Sequence, residues 1–226
     1  MTLQVGLVGT DGIVLASDKK AVVFDPALCT SLVSKILIDR EKGLAGCCAG
    51  NEISARIRRE IFSNSNLLQR EYPQSPIEEL ATQIYRDIPT EEQAGGNPSD
   101  LLIVSLNDLR HLYHLRMSAT QCTLRLKENK HIQGDLGNPA RLFVEAYYSK
   151  KPIHGLVFLA AHTILTANRL NPTTVEGLEV VKCTTKNFEP VSESELQVLV
   201  VRSQKTAEQT ERSIFRGPFL LNWNRE

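Results

Sequence analysis

Two short segments near the start of the chain are apolar almost without interruption, and this restricts the fold more than any other feature. Gln4-Val5-Gly6-Leu7-Val8 and Ile13-Val14-Leu15-Ala16-Ser17-Asp18 flank Gly9-Thr10-Asp11-Gly12, whose Asp-Gly step suits the positive φ of a hairpin turn. A strand with one wet face alternates apolar and polar residues. A continuous apolar run belongs to a strand covered on both faces. The opening hairpin is therefore expected inside a layered structure, with material packed on either side.

The rest of the chain supplies that material. A second hairpin is expected from Val33 to Asp39, a turn at Arg40-Glu41-Lys42-Gly43, and Leu44 to Ala49. Past Gly50 the period changes: Ile53, Ile57 and Ile61 recur at every fourth position, one face of a helix. Ser75-Pro76-Ile77-Glu78 reads as a capping box with proline at the first helical position, opening a helix whose apolar stripe is Ile77, Leu80, Ala81, Ile84 and Ile88. Pro89 to Asp100 reads as a loop. Leu101 to Leu106, Leu109 to Leu115 and Cys122 to Leu126 read as strands, residues 139–148 and 153–169 as helices, and Gly177 to Cys183 and Leu196 to Val201 as strands. Strands, two helices, strands, two helices and strands predict an antiparallel α+β layer architecture rather than alternating βαβ units. The 226 residues are expected to form a single domain, 1–226, in which residues 186–226 add little to the argument.

Composition removes several functions. Lys plus Arg and Asp plus Glu both total 26, so there is no electrostatic reason to expect nucleic acid or an anionic membrane as partner. No apolar run reaches the length of a membrane span. Met1-Thr2-Leu3-Gln4 shows no basic segment ahead of an apolar one, so no signal peptide is expected. Cys29, Cys47, Cys48, Cys122 and Cys183 read as reduced thiols of a cytoplasmic protein. Phosphate-binding loops, dinucleotide loops and a Gly-x-Ser-x-Gly elbow are all missing from the sequence. His111 and His114 are three apart on an expected strand and so face opposite sides, which argues against a metal pair.

What remains is the N-terminus. Met1 precedes a small residue, so its removal would expose Thr2. A free N-terminal threonine carries a nucleophile and a base on one residue, because its α-amine, with a reference pKa of about 8, can take the hydroxyl proton directly or through water. Asp18 ends a strand. Lys35 sits among apolar residues in Val33-Ser34-Lys35-Ile36, where it either snorkels outward or points at something anionic. Gly50 lies where a strand gives way to a helix, a place where backbone N–H groups are free for an oxyanion.

In order and spacing these features resemble the β-type subunits of the proteasome family, which are N-terminal-nucleophile hydrolases. The matching residues are Thr2, the Val5-Gly6 hairpin, Ala16-Ser17-Asp18 followed by Lys19 and Lys20, Ser34-Lys35-Ile36, and Ala49-Gly50 opening a helix. The match is specific over about residues 2–60 and looser to about residue 185. The Met-Thr start resembles the bacterial HslV branch, and also the betaproteobacterial proteasome homologue.

The resemblance implies a four-layer αββα sandwich of two antiparallel sheets and a threonine endopeptidase. Thr2 is its nucleophile, Lys35 depresses the pKa values of Thr2, Asp18 holds Lys35, and the Gly50 N–H receives the oxyanion. It implies identical subunits in stacked rings, peptides or unfolded proteins as substrates, and an unfolding ATPase as partner. No cofactor is required for this chemistry. Relatives hold a monovalent or divalent cation on backbone carbonyls, which would match Asn168, Asn171 and Thr174 here. The primary pocket would be lined by Ala21, Val33, Cys48 and Glu52, where Glu52 either selects basic side chains or stabilises a helix N-terminus.

Two departures stand out. The family's Gly-Ser-Gly appears as Gly134-Asp135-Leu136-Gly137, so Asp135 either puts a carboxylate near the Thr2 amine or turns away as a loop or capping residue. The family's Asp-x-x-Ser appears as Asn171-Pro172-Thr173-Thr174, which leaves Thr174 to supply the hydroxyl and Asn171 no charge. Two other functions stay open on sequence: a non-catalytic ring subunit of the same fold, and an N-terminal-nucleophile amidase acting on small molecules.

Overall fold

The opening hairpin forms as its apolar runs require. Strands β1 (Leu3–Val8) and β2 (Gly12–Ser17) pair antiparallel, with Gln4 opposite Ser17 and Val8 opposite Ile13. The computed structural model describes residues 2–25, 27–49, 52–68, 70, 73–87, 99–106, 110–117, 121–135, 137–185 and 187–215, without the side chains of 22–25, 27–29, 52–53, 99 and 214–215. In chain order the other strands are β3 (Lys20–Asp25), β4 (Ala27–Leu32), β5 (Ile36–Asp39), β6 (Leu44–Ala49), β7 (Ser99–Ser105), β8 (His111–Met117), β9 (Cys122–Lys127), β10 (Lys130–Gly134), β11 (Glu179–Thr184) and β12 (Phe188–Pro190). The helices are α1 (Glu52–Ser63), α2 (Gln74–Arg86), α3 (Arg141–Tyr147), α4 (Ile153–Leu170) and α5 (Glu193–Phe215).

Two antiparallel five-stranded sheets lie face to face. One runs β10-β1-β2-β11-β12 and the other β5-β6-β7-β8-β9, while β3 and β4 pair only with each other. The side-chain period of a strand divides β2 between two cores. Val14 and Ala16 join Leu3, Val5 and Leu7 beneath α4, with Leu156, Ala160 and Ile164 above them. Ile13 and Leu15 face the other sheet and meet Ala45, Cys47, Leu102, Val104 and Leu112. A third core joins that second sheet to α1 and α2 through Ile57, Ile61, Ile77, Ala81, Leu101 and Leu115. The result is the four-layer αββα sandwich, and it explains why the first hairpin is apolar on both faces. The sheets come close at Gly6, where an added Cβ would lie 2.9 Å from Leu112.

Several local expectations change. The capping box expected at Ser75 does not form. Helix α2 starts at Gln74 behind Pro73 with no side-chain cap, and the Glu78 carboxylate instead accepts the Leu124 N–H at 2.7 Å. That donor lies on β9, the edge strand of its sheet, and an uncovered edge donor draws the carboxylate away from the helix end. Leu196 to Val201 is not a strand but part of α5. Here a capping box does form: the Ser192 N–H donates to Glu195 Oε2 at 3.0 Å and the Glu195 N–H donates to the Ser192 hydroxyl at 3.3 Å. Leu196 and Leu199 then pack on the core beneath α4, the spacing of a helix face rather than of a strand.

The β3–β4 pair and β10 were not expected from sequence, and β5 begins at Ile36 rather than Val33. No Asn-Gly or Gly step separates β3 from β4, so the usual hairpin signal is missing. The stripe residue Ile88 and most of the expected 89–100 loop lie outside the described residues.

Candidate active site

Thr2 precedes β1 and is brought against the end of β2. The Leu3 N–H donates to Asp18 Oδ1 at 2.9 Å, and the Asp18 N–H donates to the Leu3 carbonyl at 3.2 Å. Asp18 therefore fixes the start of the chain before doing anything else. Its other oxygen accepts from the Lys20 N–H at 3.0 Å and from Lys35 Nζ at 2.8 Å. The same Lys35 Nζ donates to the Thr2 hydroxyl at 2.6 Å. Of the two alternatives for Lys35, the structure shows the inward one. Asp18 is 0% exposed, and Thr2 and Lys35 are each 8% exposed. Burial pushes the Asp18 carboxyl above its ordinary value, while the Lys35 charge and the three hydrogen bonds pull it partly back.

The other side of Thr2 is held by the turn after β10. The Asp135 N–H donates to the Thr2 carbonyl at 2.7 Å. Gly134 has φ +97, and an added Cβ would lie 1.7 Å from that carbonyl oxygen. Only glycine fits both the conformation and the approach. Gly134→Ala is therefore expected to push Thr2 out of place, with a stability loss of about 1–3 kcal/mol and loss of any activity that depends on Thr2. Thermal unfolding and peptide hydrolysis would measure the two. The Asp135 side chain turns to the loop after α4, where its Oδ2 accepts from the Thr174 hydroxyl at 3.2 Å. Thr2, Asp18, Lys35, Asp135 and Thr174 thus converge from five separated places in the chain. Gly50 lies outside the described residues, as does the side chain of Glu52.

Around this cluster Ala21 is half-buried, Val33 is 41% exposed, and Cys48 is half-buried against the α1–α2 core. The residues expected to hold a cation lie at the end of α4 and in the loop that follows it. The Asn171 carbonyl already accepts from the Thr174 and Val175 N–H groups at 3.2 and 3.1 Å, and the Lys20 ammonium donates to the neighbouring Pro172 carbonyl at 2.9 Å. Asn168 lies in the last turn of α4, four residues before Pro172, which has no N–H to take its carbonyl.

Sequence reasoning missed two buried glutamines. Gln4 Nε2 donates to the Cys48 carbonyl at 2.7 Å, and Gln133 Nε2 donates to Gln4 Oε1. This polar chain crosses the gap between the sheets and ties β1 to β6, two residues before Gly50. The available signal was a glutamine inside an apolar run.

Solved structures similar to this chain include Anbu proteins. Anbu from Hyphomicrobium sp. strain MC1 matches with a TM-score of 0.69 at 12% identity, over 94% of this chain and 97% of that one. Anbu (ancestral beta-subunit) from Yersinia bercovieri matches with a TM-score of 0.70 at 14% identity, over 96% and 97%. The fold is that of Anbu. It is the N-terminal-nucleophile hydrolase sandwich expected from the resemblance, and at this identity the likeness establishes the fold.

Placement with the HslV branch or the betaproteobacterial proteasome homologue is overturned. No family model matches the chain, no curated protein matches it, and the similar structures named above are Anbu. A handful of motif residues around one site carried that placement, and a shared site does not fix a branch. Among the described residues no helix is long and apolar enough to cross a membrane.

Proposed function

We propose that the chain is a threonine endopeptidase that acts through Thr2 once Met1 is removed. One observation carries this reading: the buried Lys35 ammonium bridges the Thr2 hydroxyl and the Asp18 carboxylate, at 2.6 and 2.8 Å. A buried cation on a hydroxyl favours its alkoxide character and lowers the pKa of an adjacent amine. The freed α-amine takes the Thr2 hydroxyl proton, and Oγ1 attacks the peptide carbonyl. The Gly50 N–H receives the oxyanion. As the intermediate collapses, the amine passes the proton to the leaving nitrogen and an ester on Thr2 remains. Water, deprotonated by the same amine, releases the product.

In this reading identical subunits assemble into stacked rings around a chamber, substrates are peptides or unfolded chains, and an unfolding ATPase feeds them. The chain acts in the cytoplasm. Hydrolysis of fluorogenic peptides, measured on the species that sizing shows to be oligomeric, tests both parts. An assembled, Met1-free protein without peptidase activity contradicts it.

Asp135 gives a further expected result. Its backbone N–H holds the Thr2 carbonyl while its carboxylate accepts from the Thr174 hydroxyl, and in this reading that negative charge favours the protonated form of the amine. Asp135→Asn keeps the backbone contact and an acceptor for Thr174, and removes the charge. The acid limb of kcat/KM is expected to move to lower pH in this variant, read from pH–rate profiles of the two proteins.

A further inference from the structure

Lys35 does the central work of the site, yet it lies between β4 and β5, outside both ladders. A residue there has a backbone N–H and carbonyl with no strand partner, and buried backbone groups need one. The structure supplies both from side chains. Glu179 Oε1 accepts from the Lys35 N–H at 2.5 Å and from the Ile36 N–H at 2.9 Å, while its Oε2 accepts from the Ser34 hydroxyl at 2.8 Å. Arg58 Nη1, from α1, donates to the Lys35 carbonyl at 2.5 Å.

Glu179 opens β11, where it pairs with Ser17, the neighbour of Asp18. One carboxylate on the first sheet thus grips three consecutive residues at the edge of the second. From that gripped segment Lys35 reaches back to Thr2 and Asp18 on the first sheet. We propose that Glu179 is a positioning residue for the reaction: by fixing the backbone from Ser34 to Ile36 it sets Lys35 Nζ on the Thr2 hydroxyl. This rests on the threonine-nucleophile reading above. The acceptor geometry matters rather than the charge, because both backbone bonds fall on a single oxygen.

A lysine side chain is long, and its ammonium is a flexible point charge. Asp18 alone leaves it several ways to satisfy a buried carboxylate. Fixing its Cα removes most of them, and a misplacement of about 1 Å costs on the order of 10²-fold in rate.

Three variants test this in the full chain with Met1 removed, with active sites counted by a peptide epoxyketone so that kcat refers to reactive Thr2. Glu179→Ala is expected to lower kcat on the order of 10²-fold, with little change in KM. It is also expected to move the acid limb of the pH profile upward, since an amine that loses a nearby positive charge becomes more basic. Glu179→Gln keeps an oxygen at the Oε1 position and is expected to recover most of that loss, with the Ser34 hydroxyl turning to accept from the new amide. Glu179→Asp keeps the charge but withdraws the acceptor by one methylene. It is expected to shift the limb as alanine does, and it serves as the probe if the alanine variant does not fold.

An alanine variant with wild-type kcat per titrated site and an unmoved limb overturns the proposal. So does an aspartate variant that behaves as wild type beside an impaired glutamine variant, since charge would then be what matters. A wild-type protein inert to both epoxyketone and peptides defeats the threonine reading itself, and this proposal with it. That result is distinct from an active wild type indifferent to Glu179.

Discussion

Replacing Thr2 by alanine is expected to abolish peptide hydrolysis, a loss of about 10⁶-fold, the scale seen when the nucleophile of a coupled catalytic unit is removed. The fold is expected to survive. Thr2 anchors the chain through its backbone, with its carbonyl taken by the Asp135 N–H and the following Leu3 N–H taken by Asp18, and alanine keeps both contacts. Lys35 loses a hydroxyl acceptor but keeps Asp18 at 2.8 Å. Circular dichroism and sizing of Thr2→Ala should therefore match the parent while fluorogenic peptide turnover falls to background. Residual turnover at a tenth of the parent rate would mean that another group is the nucleophile.

Breaking the Lys35–Asp18 pair is expected to cost both activity and stability, and the two losses can be separated. Lys35→Met leaves a fully buried carboxylate without its cation, a loss of about 3–5 kcal/mol. Asp18→Asn combined with Lys35→Met removes both charges and keeps an Asn oxygen for the Leu3 N–H. Neutral replacement of a buried ion pair is often harmless to stability, so the double variant is expected to regain most of the stability and none of the activity. Chemical denaturation with peptide hydrolysis reads both.

The pH dependence follows from the same pair. Asp18 has its pKa raised from 3.8 by burial, so the folded protein holds that proton more tightly than the unfolded chain does. Its contribution to stability is greatest below the unfolded value and declines as pH rises through the raised one. Activity runs the other way, because the ionised carboxylate orients Lys35. Protonation of Asp18 is accordingly expected to add a second proton to the acid limb that the Thr2 amine sets, steepening the fall of kcat/KM.

Residues that broke a pattern were legible in the sequence. Thr2 follows Met1, Asp18 ends an apolar strand, and Lys35 interrupts an apolar stretch. Each is conspicuous locally, and their order along the chain carried the fold. Glu179 was not legible, because it looks like any acidic residue at a strand start and its partners lie about 145 residues earlier. Gln4 stood in plain view inside β1, but its use depends on Cys48 and Gln133 in other strands. The two candidate capping boxes make the same point. Ser75 and Glu78 have the required spacing, yet Glu78 is drawn off to β9. Ser192 and Glu195 have the same spacing; Lys182 Nζ lies 3.7 Å from Glu195 Oε1, which leaves Oε2 on the Ser192 N–H, and the cap forms. Branch placement failed for a related reason: the residues shared around the site are few, and 12–14% identity across the chain fixes the sandwich and no more.

Intact mass of the purified protein, with and without a peptide epoxyketone, tests the central claim most directly. Such a compound needs the hydroxyl and the free amine of one terminal threonine to close its stable ring. A chain that has lost Met1 and gains one adduct, absent in Thr2→Ala, is the predicted result. A chain that has lost Met1 and takes up no adduct contradicts the claim that Thr2 is a working nucleophile with its own amine as base.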